Sequence, residues 1–300
     1  VTEAGELRMF TRGDGLVIIP FWLTAMIWVV AHDVAPSWTA QDPPSLKVTE
    51  WLRTEGQQRQ YGLYDAGGTR IGKLWTVFLF EAADGGRQEA PIRRDDLLLV
   101  ESLGKALGPA GTAVTPLGVR VSSTYRADGL LDEFDLRLRC PATAAHLHGE
   151  RFHADFSFTF ESGAWFTTAK VPLTEAGMIS DALNPFTQLC DLRVGQRWRM
   201  QVFNPVAAVL GMGERFTPML VEVVGRETIT TSTGERRSYL VVEAPGVKAW
   251  VSERGVVEVQ EVALPLVGKI RIVREPFDES TQEAAQVRWR DLRSGSRPED

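Results

Sequence analysis

The sequence predicts a mainly β fold: a single curved antiparallel sheet, a half-barrel or small barrel, with a few short helices and a preceding N-terminal transmembrane helix. Three observations predict it. Apolar and polar residues alternate along most stretches between 58 and 274. Turn residues such as Gly67-Gly68, Asp128-Gly129 and Ser162-Gly163 interrupt those stretches at short intervals. Leu16 to Ala31 (LVIIPFWLTAMIWVVA) carries no charge.

The uncharged run is sixteen residues long, slightly under the roughly twenty that cross a ~30 Å hydrocarbon core, and Trp22, Trp28 and Trp38 extend its usable length. Arg8 and Arg12 precede it and Asp33 follows it, so the positive-inside rule places residues 1–15 in the cytoplasm. The run at 16–31 is expected to be a transmembrane anchor. A signal segment cut after Ala31, with Val29 and Ala31 as its small residues, and a buried core helix are the other readings. Residues 32–56, rich in proline and polar groups, follow as a juxtamembrane spacer with a short helical or irregular piece at 48–54. The β-rich extracytoplasmic domain is expected over 57–275, and 276–300, poor in apolar residues, as a disordered tail.

Within the domain, Gln58–Tyr64 and Thr69–Phe80 read as a hairpin around Asp65-Ala66-Gly67-Gly68. Arg94–Leu107 is the best helical window, with Asp95 and Asp96 placed to favour its N-terminus and Gly108-Pro109 to end it, although a strand also fits. Val119–Arg126 and Leu130–Arg139 form a second hairpin, whose Phe134, Leu136, Leu138 and Cys140 alternate with Asp135, Arg137 and Arg139. Phe152 to Phe160 repeats the pattern with an aromatic apolar face, and Gly163 turns the chain into 164–171. Residues 175–190 read as a short interrupted helix. Further strands are expected at 197–203, 218–224, 237–243, 247–252, 256–263 and 269–274.

Composition narrows the function. A net charge of −6 and a pI near 5.4 supply no clustered basic face, so nucleic acid is not an expected partner. Nucleophile elbows, HExxH, phosphate-binding loops and dinucleotide fingerprints are absent from the sequence, and no cofactor is expected. The carboxylates fall on turns or wet faces. Cys140 and Cys190 either form a disulfide, as thiols in an oxidising compartment do, or pack as small buried hydrophobes.

Three of the four histidines fall in HLHGERFH. If Gly149-Glu150 is a two-residue turn, His146 faces His153, His148 faces Arg151, and the three imidazoles share a face able to take a divalent transition metal, with Asp155 as a fourth ligand. The competing reading is a solvated hairpin. Phe156, Phe158 and Trp198 are the candidate lining for an apolar ligand inside the curved sheet. The apolar loop Asn204–Phe216 either contacts lipid, a partner or an acyl chain, or folds back as core.

Several short motifs carry a family likeness: YGLY at 61–64 with RIGK at 70–73, YRADGLL at 125–131, LRVGQRW at 192–198 before FNP at 203–205, and AWVSERGVV at 249–257. Through them the chain resembles, over roughly 58–275, an uncharacterised group of bacterial exported β-rich domains that accompany transglutaminase-like cores. Ser252 stands where that group's hairpin has aspartate. Such domains are similar in architecture to the half-barrels of periplasmic lipoprotein carriers. The resemblance implies binding or scaffolding and no catalytic residue. No transglutaminase core, with its Cys, His and Asp motifs, follows in the chain.

The expectation is a non-catalytic, membrane-anchored module facing the periplasm or exterior of a bacterial envelope. Its partners would be the lipid bilayer and an envelope protein or a lipid-like apolar ligand. The alternative is a metal-dependent envelope protein or enzyme using His146, His148 and His153.

Overall fold

The structure, a computed structural model, describes residues 57–80, 92–102, 116–126, 131–141, 143–153, 155–172, 189, 191–203, 216–264 and 268–292. In chain order their strands are β1 (Gln58–Tyr64), β2 (Arg70–Phe80), β3 (Ile92–Val100), β4 (Leu117–Tyr125), β5 (Leu131–Arg139), β6 (Ala144–Phe152) and β7 (Asp155–Ser162). Next come β8 (Trp165–Pro172), β9 (Arg197–Phe203), β10 (Phe216–Thr230), β11 (Arg236–Ala244), β12 (Val247–Val251), β13 (Val257–Leu264) and β14 (Gly268–Glu275). One helix, α1 (Glu279–Asp291), follows. The expected anchor at 16–31, the spacer at 32–56 and nearly all of the expected helix at 175–190 lie outside the described residues, as do 204–215 of the apolar loop. Among the described residues no helix is long and apolar enough to cross a membrane.

All strands join one antiparallel sheet in the order β8-β7-β6-β5-β4-β3-β2-β1-β14-β13-β12-β11-β10-β9. This is the circular order of an up-and-down barrel with one pairing, β8 to β9, missing, so the sheet is open rather than closed. It nevertheless curls. Val256, at the head of β13, packs in one cluster with Phe78 of β2, Ile92 of β3 and Tyr125 of β4. A flat sheet would hold β2 and β13 three strand spacings apart, about 14 Å, so these side chains meet only because the sheet bends towards their face.

That inner face carries most of the apolar core. Tyr61, Leu63, Leu74, Leu98, Val119, Val262 and Ile272 form one cluster, and Trp198, Val221, Val242, Ala249 and Val251 form another. The period-two alternation read from the sequence thus marks real strands, including every one expected between 197 and 274.

Two expectations are corrected. The window Arg94–Leu107 contains strand β3 instead of a helix. Its charged pairs do not cap a helix: Arg94 and Asp96 point to the inner face as an ion pair at 2.8 Å, both buried, and Thr76 Oγ1 on β2 donates to Asp96 Oδ1 at 2.5 Å. The expected disordered tail is helical over α1. Asp278 caps it, its side chain accepting from the backbone N–H groups of Ser280 and Thr281, and Arg288 and Arg290 lie in the last turn, where they complement the helix dipole. Ala285 and Trp289, spaced i and i+4, pack the helix onto Trp75, Leu97 and Leu99 on the outer face. Two apolar residues at the right spacing suffice to dock it.

The β10–β11 hairpin is longer than its neighbours. Its strands pair out to Thr230↔Arg236, whereas β11 pairs with β12 only over Leu240–Ala244. The overhang lies on the outer face, where Tyr239 and Ile229 pack with Val259 and Val273 and Ser232 Oγ donates to the Arg274 carbonyl at 2.6 Å.

Candidate functional site

The histidines are arranged otherwise than expected. Strand β6 runs straight through Gly149 and Glu150, which pair with Glu133 and Phe134 on one side and Ser157 and Phe158 on the other. The turn comes later, at His153, whose φ is 55°. The reason is packing: a Cβ on Gly149 would stand 2.5 Å from a Phe134 ring carbon and 2.6 Å from one of Phe156. Glycine is there to admit two aromatic rings rather than to turn the chain.

His146 therefore faces Arg137 and Glu161, and His148 faces Asp135 and Thr159. Their ring centroids are 6.5 Å apart. His153 lies seven residues from His146, about 20 Å along extended chain, with its ring edge-on to Phe152. Among the described residues no three His, Cys, Asp or Glu side chains are grouped to hold a metal. His146 Nε2 instead shares a 2.5 Å hydrogen bond with Asp135 Oδ2. Burial pushes the Asp135 carboxyl up, but the hydrogen bonds from His146 and Arg137 outweigh it and hold the group below the usual carboxylate range.

Phe156, Phe158 and Trp198 are all buried, in two separate groups. The phenylalanines stack with Phe134, at 5.9 and 5.7 Å between centroids, beside Leu147. Trp198 packs with Leu189, Val221 and Val223. Phe152, expected to point inward, shares the face of His148 and Glu150 and is 57 % exposed. Cys140 is buried; Cys190 lies outside the described residues.

A different set of residues forms the more distinctive site. Across the inner face, Arg59 of β1, Thr76 of β2 and Asp96 of β3 stand in register. In the next row are Phe78, Arg94 and Ser123. All five polar members are buried, so a charged and hydroxylated belt crosses an otherwise apolar interior. The Arg59 guanidinium lies 4.9 Å from the Phe78 ring centroid and that of Arg94 5.9 Å, which stabilises both cations where water is scarce. Burial, with the like charges of Arg274 and Arg94 nearby, lowers the Arg59 pKa to about 10 although Tyr61 acts in the other direction.

Arg59 also lines a cleft. Where the β10–β11 overhang crosses the ends of β1 and β14, two depressions of about 850 and 360 Å³ adjoin, sharing Ser232, Glu275, Pro276 and Phe277. Glu275 is anchored between them: its carboxylate accepts from Tyr64 Oη at 2.7 Å and Gln60 Nε2 at 3.3 Å and pairs with Arg70. The absent side chain of Gly62 leaves it room. Arg274 pairs with Glu258 at 3.1 Å in the smaller cleft, and Arg237 pairs with Glu235 at its rim. Neither cleft is lined by a histidine or cysteine.

Sequence reading missed this belt because alternation assigns charged residues to the wet face. A signal existed: in IRRDDLLLV the parity of Leu98 and Val100, extended backwards, places Asp96 and Arg94 inside, as the parity of Tyr61 and Leu63 does for Arg59.

Neither a protein-family model nor a curated protein matches the chain. It is similar to a solved structure described as a β-barrel-like protein of domain of unknown function DUF1849 from Brucella abortus, at 9% identity and a TM-score of 0.41, over 73% of this chain and 95% of that one.

Proposed function

We propose that this chain is a non-catalytic binding module, tethered to a membrane by residues 16–31, with its β-rich part outside the cytoplasm. The observation that carries the binding half is the pair of adjoining clefts around Glu275. Their volumes fit the range of small-ligand sites. Their polar side chains are largely engaged with one another: Glu275 with Tyr64 and Arg70, Arg274 with Glu258, Lys269 with Glu261. Such a lining orients a guest and offers no nucleophile poised beside a base. The tether rests on the uncharged run with arginines before it and an aspartate after it.

Native mass spectrometry of the detergent-extracted chain tests the binding reading. A mass above that of the chain, from a small molecule or a co-purifying protein, is the expected result, and a bare chain at native expression levels would overturn it. Resistance to alkaline extraction from membranes tests the tether, and full release at high pH would remove it.

A further inference from the structure

We infer that the smaller cleft is a site for an oxyanion, the carboxylate or phosphate group of a small ligand, with Arg59 as its principal contact. The inference rests on reading the clefts as binding surfaces and names the ligand chemistry they take.

The first argument is the placement of charge. Arg59, Arg237 and Arg274 line the cleft together with Glu235, Glu258 and Glu275. Each glutamate is engaged: Glu235 by Arg237, Glu258 by Arg274, and Glu275 by Arg70, which is not among the lining residues. Counting Arg70 with its partner, the group has one more cation than anions. That cation is Arg59, 3 % exposed on the inner face with two further arginines, Arg94 and Arg274, among its nearest charges. A buried guanidinium in such company gains from an incoming anion, and its planar fork matches the geometry of carboxylate and phosphate.

The second argument is hydrogen-bonding capacity. Thr231, Ser232 and Thr233 bring hydroxyl groups to the rim from the hairpin overhang, and Tyr239 brings a phenol from β11. Burial, followed by the charge of Glu258, raises the Tyr239 pKa, so the phenol keeps its proton. On the inner face, two residues beyond Glu258 on β13, Gln260 is 1 % exposed, and neither its amide oxygen nor its nitrogen has a hydrogen-bond partner. An orphaned buried amide is costly, and a polar guest extending inward from the cleft satisfies it.

The test uses the full chain in detergent, titrated with sodium phosphate and, separately, with sodium acetate at ionic strength held constant by sodium chloride, with binding followed by calorimetry and thermal unfolding. Saturable binding of at least one of the two anions is expected. Arg59→Met should weaken it about tenfold or more while leaving the ligand-free chain as stable as before or more so, because a buried charge is removed. Arg237→Gln, at the exposed rim, should fold normally and weaken binding by a smaller factor. Absence of saturation in the parent chain overturns the inference, as does unchanged affinity in Arg59→Met. Should Arg59→Met fail to fold, unchanged affinity in Arg237→Gln overturns it.

Native mass spectrometry of the same preparations separates the two readings. A carried ligand that persists in Arg59→Met upholds the binding module and sinks the oxyanion site. A bare parent chain that still binds added phosphate or acetate upholds the site and sinks the idea of a ligand carried from the cell.

Discussion

Gly149 shows how much one missing side chain decides. In an ordinary strand, replacing glycine by alanine gains about 0.5–1 kcal/mol from backbone entropy. Here the added carbon meets the Phe134 and Phe156 rings at 2.5 and 2.6 Å, and both rings are buried, so neither moves without disturbing the core. Overpacking wins, and Gly149→Ala should destabilise by about 1–3 kcal/mol in denaturant unfolding. Gly225→Ala is the matched control: its new carbon meets nothing within 4 Å, and near-neutrality is expected. Asp135 adds a second test at this scale. Its folded pKa lies below the ordinary value because His146 and Arg137 donate to it in excess of the burial penalty. It therefore contributes stability above about pH 4, the unfolded pKa, and loses that contribution as pH falls through the lower folded value. The melting temperature of Asp135→Asn should fall less steeply than that of the parent between pH 5 and pH 2. Glu227 and Asp278, also lowered, remain in both chains, so the difference between them isolates Asp135.

Helix α1 is held to the sheet at a few points, above all Trp289. Its ring fills the space over Gly118, where a Cβ would come within 2.6 Å of it. Arg139 stacks on it at 4.6 Å from the ring centroid and donates to its carbonyl. Trp289→Ala should cost about 3–5 kcal/mol of docking, release the helix, and expose Arg288 and Arg290 to trypsin, while Trp289→Phe keeps most of the protection. Equal cleavage in all three chains would show that the packing of Trp289 does not hold the helix. This helix also marks where sequence reading stops. Alternation located the strands from β9 to β14 because each presents a continuous apolar parity. A helix carrying only Ala285 and Trp289 as buried residues has no such stripe, and its acidic and polar surface looks like a solvated tail. In β3 the charged pairs had the spacing of a helix cap, and only the register with Thr76 and Ser123 reveals them as an interior belt. The site was illegible for a related reason: Arg59, Arg237 and Arg274 are far apart in sequence and meet only through the β1–β14 pairing and the hairpin overhang.

At the scale of the molecule, strand order separates local from long-range structure. Each hydrogen-bonded pair joins strands consecutive in sequence except β1 with β14, where Leu63 lies opposite Ile272. Closing a loop of about 210 residues costs roughly 5 kcal/mol by the chain-closure relation, so this seam is the pairing most dependent on its own side chains. Glu275 is its main tie, linking β14 to Tyr64 and Gln60 of β1 and to Arg70 of β2. Removing the carboxylate in Glu275→Ala leaves the Tyr64 hydroxyl, the Gln60 amide and the Arg70 cation without their acceptor, while the β2–β8 and β9–β13 meanders keep every hairpin contact. Amides of Gly62, Leu63, Ile272 and Val273 should then exchange with solvent about tenfold or more faster, as expected for a local loss of 1–3 kcal/mol. Those of Leu147, Phe158, Val242 and Ala249, in the middles of the two meanders, should be nearly unchanged. Uniform acceleration across all strands would mean that the sheet opens as one unit and that the seam is no weaker than its hairpins. Selective acceleration at β1 and β14 makes it the hinge line about which the two meanders part.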